Sequence, residues 1–452
     1  MEIQAELPIK TAEITYALTR DNTTATEIIY RAIKNLSEKT YNYIYQSYRL
    51  LDEFKKSEYY LKNDWLKFRT SELISELEYE TSQVRSYNSI IKSQFSFETL
   101  QDYGSLAKRE AIATFSILFR IDHLTKTSRL DPVLFNDRYN VFFATNRNRK
   151  NGYESIVFDG NRGNSLSYGT ASISMNDERI TKQNVKNPKK YFKITELKCQ
   201  SEDKFWQDVS ENLQSGTDGN KPLLIYIHGY NTNFEEAIEV GSQLHSDFRV
   251  KGTTIVFSWP SKGHFTKHPK DYQNCDQSRE YLENFLNQAF NKAGAREIYI
   301  IGHSMGCRLL LNTCELIALK RRENAKKLVD HIVMAAPDID QEDIEKRGRL
   351  IYKISRKFTL YVSTDDRLLD RSSNLFGEKR AGNDITILPE AVTIEAANID
   401  DTFWGHSYFR NSSYVLRDIY YGVFEGVPPD KRYNLYEAHT PDNELYYILL
   451  YN

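Results

Sequence analysis

The strongest constraint on the fold is a strand, a tight turn and a helix in series at residues 298–311. An apolar run leads into the sequence GHSMG at residues 302–306, and apolar side chains at helical spacing follow it. A serine hydroxyl becomes a good nucleophile when such a turn holds it away from its neighbours and beside a base. The turn crowds the backbone, so the positions on both sides must lack bulk, as Gly302 and Gly306 do. The segment predicts a nucleophile elbow, and with it a serine hydrolase.

A second buried strand, at residues 223–227, ends in His-Gly-Tyr-Asn at residues 228–231. When a serine attacks a carbonyl, negative charge develops on the carbonyl oxygen, and backbone N–H groups that point at this oxygen stabilise it. One such donor is the residue after the serine, and the other lies in the loop after an earlier strand. We therefore predict an oxyanion hole formed by the N–H groups of Met305 and Tyr230.

The orienting carboxylate should follow the serine and precede the histidine along the chain. Residues 358–363 predict a strand, and Asp365 and Asp366 come directly after it. From the residues alone either carboxylate can be the acid. Asp338 and Asp340 follow the preceding strand, where some enzymes of this fold place the acid, and we interpret them as loop or cap residues.

The catalytic histidine should follow the last strand, which we predict at residues 392–397. Of the nine histidines only His406 and His439 follow that strand, and His406 is the closer one. We predict His406 as the general base and acid. His303 is interpreted as a packing or polar-contact residue of the elbow, and His228 as a residue that ties the oxyanion loop to its neighbours.

The motifs taken together resemble an alpha/beta-hydrolase family of unknown function. They are HGYN at 228–231, FSWPS at 257–261, GHSMG at 302–306, APDID at 336–340, STDDRLL at 363–369 and GHSYF at 405–409. The resemblance covers residues 135–425, including VFFATNR at 141–147. It implies the hydrolase fold and a triad of Ser304, His406 and Asp366, because in the family the acid lies three positions after a serine. It implies no known substrate.

The distribution of glycine divides the chain. Residues 1–103 contain none, and all 20 glycines lie from Gly104 onward. Glycine serves tight turns, so the first part is expected to consist of long helices, for which the apolar spacing in residues 25–36 and 43–65 is typical. We predict a helical N-terminal domain at 1–130, lead-in strands of the hydrolase domain at 131–215, an alpha/beta-hydrolase catalytic core at 216–430 and a C-terminal tail at 431–452.

From about residue 135 short strands alternate with helices, which predicts a mostly parallel sheet covered on both faces. The predicted strands are 141–145, 170–175, 191–198, 223–227, 253–258, 297–301, 331–336, 358–363 and 392–397. The predicted helices are 234–249, 277–293, 305–320 and 340–350. No large cap domain is expected, because residues 338–357 have room for about one helix.

Composition argues against several other classes of protein. The 60 basic and 62 acidic residues nearly balance, so no nucleic-acid partner is expected. No apolar run is long enough for a transmembrane helix, and the first residues lack a signal-peptide pattern, so we expect a cytoplasmic protein. His264 and His268 have the i, i+4 spacing of metal ligands, but no thiol or carboxylate pattern accompanies them. We therefore expect no metal and, without any nucleotide-binding motif, no cofactor.

The leading functional hypothesis is an esterase or lipase-like acyl hydrolase that works through an acyl-Ser304 intermediate. Trp259 and Phe265 are the aromatic residues expected to contact a small-molecule or lipid acyl substrate. The alternative is a regulated or inactive hydrolase-fold effector or scaffold, whose residues 1–130 bind a protein partner or self-associate. Tyrosines are dense there, and we interpret them first as helix packing, with an interaction face as the alternative: Tyr41, Tyr43, Tyr45, Tyr48, Tyr59 and Tyr60.

Overall fold

A computed structural model of the chain describes most of residues 138–449 and only short pieces of the chain before them. The described residues are 31, 34, 40–42, 44–53, 55–56, 70–71, 74–75, 77–79, 81–82, 138–150, 156–175, 192–215, 221–248, 250–262, 268–322, 325–366, 369, 372–373, 379–396, 412–432 and 435–449.

The chain divides into two compact units. One contains residues 1–133 and 431–433, and the other contains residues 134–430 and 434–452. In the first unit nearly every described residue between 31 and 82 is helical, as predicted. Three of the clustered tyrosines are described, and the side chain of Tyr45 is 68% exposed. The packing interpretation is therefore wrong for Tyr45.

The second unit is built on one sheet of eleven strands. The strands are β1 (Arg138–Arg149), β2 (Phe158–Met175), β3 (Phe192–Gln200), β4 (Leu223–Ile227), β5 (Thr253–Ser258), β6 (Ile298–His303), β7 (Val329–Ala335), β8 (Ser355–Val362), β9 (Val392–Glu395), β10 (Leu435–His439) and β11 (Leu445–Leu449). Their order across the sheet is β10-β11-β9-β8-β7-β6-β4-β5-β1-β2-β3. In this sheet order every neighbouring pair between β11 and β1 is parallel. The three pairs at the two ends of the sheet, β10–β11, β1–β2 and β2–β3, are antiparallel.

Helices connect the parallel strands. They are α1 (Glu202–Gln214), α2 (Phe234–Asp247), α3 (His268–Gln277), α4 (Arg279–Lys292), α5 (Met305–Leu319), α6 (Gln341–Arg347) and α7 (Ser413–Ile419). A 3-10 helix at Gly348–Lys353 continues α6, so the connection after β7 carries no cap domain, as predicted.

Two apolar cores lie on opposite faces of the sheet. Side chains alternate along a strand, and in β4 Ile225 belongs to the core that α5 covers, whereas Tyr226 belongs to the core that α2 covers. Strands buried on both faces read as continuous apolar runs, which is why β4, β5 and β6 were predictable from sequence. The predicted mostly parallel alpha/beta fold is confirmed.

Two parts of the prediction are wrong. Residues 431–452 are not simply a tail, because β10 and β11 form a hairpin that extends the sheet beyond β9, the strand expected to be last. Residues 202–214, placed among lead-in strands, form α1, which Ser201 caps by accepting a hydrogen bond from the backbone N–H of Lys204. Phe205, Val209 and Leu213 bury one face of this helix in the core.

Candidate active site

Ser304 lies at the sharp turn between β6 and α5, as the sequence predicts. Its backbone has φ 51° and ψ −123°, a conformation that costs a residue with a side chain of order 1–3 kcal/mol. The surrounding backbone holds it in place: the Ser304 N–H donates to Ala335 O at 2.9 Å, and the Asp338 N–H donates to Ser304 O at 3.3 Å. The elbow is thus fixed to the end of the neighbouring strand β7.

The two glycines of the elbow face different neighbours. A methyl group on Gly306 would lie 2.6 Å from Ile227 O and still closer to His228 O, so only glycine lets α5 begin directly over the end of β4. A methyl group on Gly302 would lie 3.3 Å from Cys307 Cα, a contact that small shifts can accommodate. Gly306 is therefore the stricter requirement.

The loop after β4 packs directly against the nucleophile. A methyl group on Gly229 would lie 2.9 Å from Ser304 Cβ, which places this loop beside the elbow. Met305 is the first residue of α5, and the N–H groups of a first helical turn have no acceptor within the helix. A helix N-terminus also favours negative charge. The structure thus brings together the two segments, around Tyr230 and Met305, from which we predict the oxyanion hole.

The two neighbouring carboxylates after β8 differ in environment. Asp365 is exposed, whereas Asp366 is fully buried, and its Oδ1 accepts a hydrogen bond from the Leu369 N–H at 3.1 Å. The Asp366 N–H donates to Ser363 O at 3.1 Å, which closes a tight turn. A buried carboxylate with a fixed orientation suits the orienting acid of a triad better than an exposed one.

The carboxylates after β7 have structural partners. Asp340 caps α6 by accepting from the Asp343 N–H at 3.0 Å, which confirms its interpretation as a cap residue. The buried Asp338 accepts from Ser372 Oγ at 2.8 Å and lies 3.5 Å from Nε of the equally buried Arg380. Asp338 is thus paired with a buried cation, whereas the contact described above for the carboxylate of Asp366 is with a backbone N–H.

A buried arginine that the sequence analysis did not single out joins the loops beside Ser304. Arg147, near the end of β1, is 2% exposed. Its guanidinium donates to Ser258 Oγ, Ser261 O and Thr232 O, each at 2.8 Å. Burial lowers the pKa of Arg147 to about 10, against the nearby acidic charges. In the sequence Arg147 is visible only as a basic residue at the end of an apolar strand, because the groups that its guanidinium binds lie more than 80 positions away.

A buried carboxylate holds the same loops from the other side. Asp271, in the first turn of α3, accepts from Ser261 Oγ at 2.6 Å, from the Lys262 N–H at 2.8 Å and from the backbone N–H of Asn231. Burial raises the pKa of Asp271, and these hydrogen bonds oppose the rise. The Thr232 N–H completes the network by donating to Ser261 Oγ at 3.2 Å.

His228 is fully buried at the base of the oxyanion loop. Its ring stacks on that of Trp259 at 5.0 Å, and Trp259 Nε1 donates to His228 O at 2.7 Å. The predicted tie between this loop and its neighbours is confirmed. Burial, and then the charge of Arg147, lower the pKa of His228 to about 3, so the ring is neutral at physiological pH.

The remaining predicted residues divide into two groups. His406 and Phe265 lie outside the described residues. Trp259 is fully buried and supports the loop from below, so its predicted contact with substrate is wrong for this conformation.

Among the described side chains no cluster of three or more His, Cys, Asp or Glu residues could hold a metal ion. Within the described part of the chain, no helix has the length and apolarity that a membrane crossing requires.

Backbone strain concentrates at this edge of the sheet. Asn231, Ser304 and Ala336 all have positive φ, between 49° and 54°, and they follow β4, β6 and β7, three adjacent strands. Strain of this kind persists only where the surrounding structure enforces it, and it is common at active sites. The carboxyl edge is also where open alpha/beta sheets bind ligands.

Comparison with solved structures returns an uncharacterized protein and several esterases, all at low similarity. An uncharacterized protein from Bacillus cereus ATCC 10987 is 13% identical with a TM-score of 0.30, covering 47% of this chain and 62% of that one. An esterase from Pyrobaculum calidifontis is 13% identical with a TM-score of 0.28, covering 48% of this chain and 78% of that one. Scores this low carry no argument about activity.

Comparison of sequences is more specific. An uncharacterized protein of Nostoc sp. (strain PCC 7120 / SAG 25.82 / UTEX 2576) is 24% identical over 252 residues, which are 45% of this chain and 63% of that protein. The chain thus spans less than two thirds of that relative. Residues 201–403 match a family model described as an alpha/beta hydrolase of unknown function, which confirms the resemblance inferred from the motifs. Residues 201–403 are thus similar to that family, and the unit that contains them has an alpha/beta-hydrolase fold.

Proposed function

We propose that the chain is a serine hydrolase that cleaves carboxylic esters through an acyl-Ser304 intermediate. The observation that carries the proposal is the strained Ser304 at φ 51°, with the Gly229 loop packed against its Cβ and the start of α5 directly behind it. A strained turn maintained at this position costs stability. A nucleophile that must project from the turn toward two backbone donors accounts for that cost.

The proposed reaction follows from these positions. Ser304 Oγ attacks the ester carbonyl carbon while His406 takes its proton, and the N–H groups of Tyr230 and Met305 stabilise the oxyanion. As the carbon–oxygen bond to the alcohol breaks, His406 returns the proton to the leaving alcohol. Water, deprotonated by His406, then attacks the acyl-enzyme and releases the acid. Asp366 orients His406 and stabilises its charged form.

The ester class is proposed over two related classes. Thioesters and amides share this mechanism, and the triad alone does not choose among them. An ester loses its alcohol more readily than an amide loses its amine, so an ester needs less protonation of the leaving group by the general acid than an amide does; a thioester needs less still and is tested beside the esters. A chromogenic nitrophenyl ester series of increasing acyl length is therefore the first substrate set, with matched thioester and anilide substrates beside it.

The test combines a covalent probe with turnover. A fluorophosphonate should label the purified full chain by forming a bond between phosphorus and Ser304 Oγ with loss of fluoride. Ser304→Ala should abolish labelling and ester hydrolysis, and His406→Ala should reduce both by several orders of magnitude. Asp366→Asn should lower kcat by roughly 10⁴-fold. Ser210→Ala, at a half-buried position of α1, and Asp365→Asn, at an exposed position, are the control variants and should behave as wild type.

Two results would contradict the proposal. Equal ester hydrolysis by wild type and Ser304→Ala would place the activity elsewhere. A folded wild-type protein that neither labels nor hydrolyses any of the substrates would favour the regulated or inactive hydrolase-fold effector. Loss of activity in Asp365→Asn but not in Asp366→Asn would exchange the role of the two carboxylates.

A further inference from the structure

We propose that His228 and Arg147 are positioning residues that orient the Tyr230 N–H toward the oxyanion, an inference that rests on the proposed function. The first step concerns one peptide unit. Gly229 C=O and Tyr230 N–H belong to the same planar peptide, and in a trans peptide they point in opposite directions. The group that binds Gly229 O therefore sets the direction of the Tyr230 N–H. That group is Nδ1 of His228, at 2.8 Å.

The second step concerns the proton on His228. With a pKa of about 3 the ring is neutral and carries one ring proton. A proton on Nδ1 makes the 2.8 Å hydrogen bond to Gly229 O, whereas a proton on Nε2 would leave two lone pairs facing each other at that distance. Nε2 lies 3.1 Å from Trp259 O, and 3.3 Å from Ser258 Oγ and Arg147 Nη2. Trp259 O can only accept and Arg147 Nη2 can only donate, so the contacts of Nε2 oppose each other, whereas the shorter contact of Nδ1 with Gly229 O requires a proton on Nδ1. We therefore assign the proton to Nδ1 and let Nε2 accept from Arg147.

The third step concerns what holds Arg147 at Nε2. Three hydrogen bonds of 2.8 Å fix its planar guanidinium to Ser258, Ser261 and Thr232. Lysine could not reproduce this fork. On the other side of Tyr230, Asp271 binds the Asn231 N–H, and Thr232 Oγ1 donates to Tyr230 O at 3.1 Å. The peptides before and after Tyr230 are thus each held by a separate partner.

The role predicts a specific kinetic pattern. A misdirected Tyr230 N–H weakens only the transition state, because charge on the carbonyl oxygen develops there. In His228→Leu we expect kcat to fall by about 10²-fold, with KM within about a factor of two. The His228→Asn amide can present a donor near the position of Nδ1, so its kcat should stay within about tenfold of wild type. A residue that merely packs would show no such recovery with the smaller polar side chain.

The arginine is tested in parallel. Arg147→Met should lower kcat with KM unchanged, whereas Arg149→Met, two positions along the same strand and exposed, should match wild type. Fluorophosphonate labelling rates provide a second kinetic readout, and thermal unfolding identifies variants that do not fold. A folded His228→Leu with wild-type kcat, or a folded His228→Asn as slow as His228→Leu, overturns the proposal.

A measurement on the wild-type protein decides the matter independently of folding defects and of activity. Long-range proton–nitrogen NMR on histidine-labelled full chain reports which ring nitrogen of His228 is protonated, with His228→Asn as the assignment control. We expect the Nδ1–H tautomer with no titration between pH 5 and 8. An Nε2–H tautomer, or a pKa in that range, refutes the positioning role even if the protein is an active esterase. Failure of wild type to label or turn over refutes the proposed function instead, whichever tautomer is found.

Discussion

Replacing Gly306 with alanine is the sharpest test of how α5 is seated on the sheet. The added methyl would meet two backbone oxygens at the end of β4, Ile227 O at 2.6 Å and His228 O at a shorter distance. Backbone atoms in the middle of a sheet cannot turn aside as a flexible side chain can. The first turn of α5 must therefore move away from β4.

The expected size of the effect follows from these distances. Ordinary contact needs about 3.5 Å, so the helix start moves by on the order of 1 Å. Overpacking of this kind costs about 1–3 kcal/mol, or about 2–4 °C in melting midpoint for each kcal/mol in a large domain. Ser304 and Met305 move with the helix, and a displacement of about 1 Å from the productive geometry can lower kcat/KM by about 10²-fold.

The assay is ester hydrolysis and fluorophosphonate labelling beside thermal unfolding of the same samples. Gly302→Ala is the matched control, because its methyl meets Cys307 Cα at 3.3 Å and the neighbour can yield slightly. We expect this control to cost less than about 1 kcal/mol and to retain most of the activity. A Gly306→Ala protein with wild-type melting midpoint and labelling rate would refute the reasoning.

Three further predictions concern buried charges. The pKa of His228 is lowered from 6.5 to about 3, so at pH values between these the unfolded chain binds a proton that the folded chain does not. The free energy of unfolding should therefore fall as pH falls from 6.5 toward 3, by up to about 1.4 kcal/mol per pH unit. Urea unfolding of His228→Asn should show a smaller dependence of this free energy on pH. Burial raises the pKa of Asp271 above 3.8, so its contribution to stability falls as pH rises through the raised pKa, and the stability of wild type relative to Asp271→Asn should decline over that range. Arg380→Met leaves the buried Asp338 without its cation and should cost about 3–5 kcal/mol in urea unfolding, whereas the double variant with Asp338→Asn should recover part of this loss.

The central strands and the elbow were predictable because local patterns determine them. An apolar run such as residues 223–227 forms a strand buried on both faces, and the glycines around Ser304 identify the turn that follows β6. The C-terminal hairpin gave a weaker signal. In β10 only Leu435 is buried, so the strand shows no clear alternation, although Asn443 with φ 64° forms the kind of turn that joins two antiparallel strands.

The supports of the site could not be predicted, because they are properties of the tertiary structure. Arg147 donates to partners 81 to 114 positions away, and nothing near it in sequence indicates which carbonyls it will meet. The same holds for Asp271. Its sequence neighbours are polar and typical of an exposed helix, but in the structure the segment after β5 places Ser261 Oγ against its carboxylate. Local pattern thus predicted Ser304 and Tyr230 as site residues, and the structure added the residues whose hydrogen bonds flank Tyr230.

The arrangement of strain and support fits a site that must be rigid on one side. Asn231, Ser304 and Ala336 adopt unfavourable backbone conformations on three adjacent strands, each costing of order 1–3 kcal/mol. The backbones of Ser304 and Ala336 are tied to the neighbouring strands, since the Ser304 N–H donates to Ala335 O and the Ala336 N–H donates to Tyr361 O, each at 2.9 Å. Each of these residues is therefore held by a hydrogen bond to a different partner, because the Asn231 N–H binds Asp271 while Ser304 and Ala336 bind the ends of neighbouring strands. Such an edge can hold a nucleophile and its oxyanion donors in register before substrate arrives, which is the condition under which backbone donors lower a barrier without reorganising.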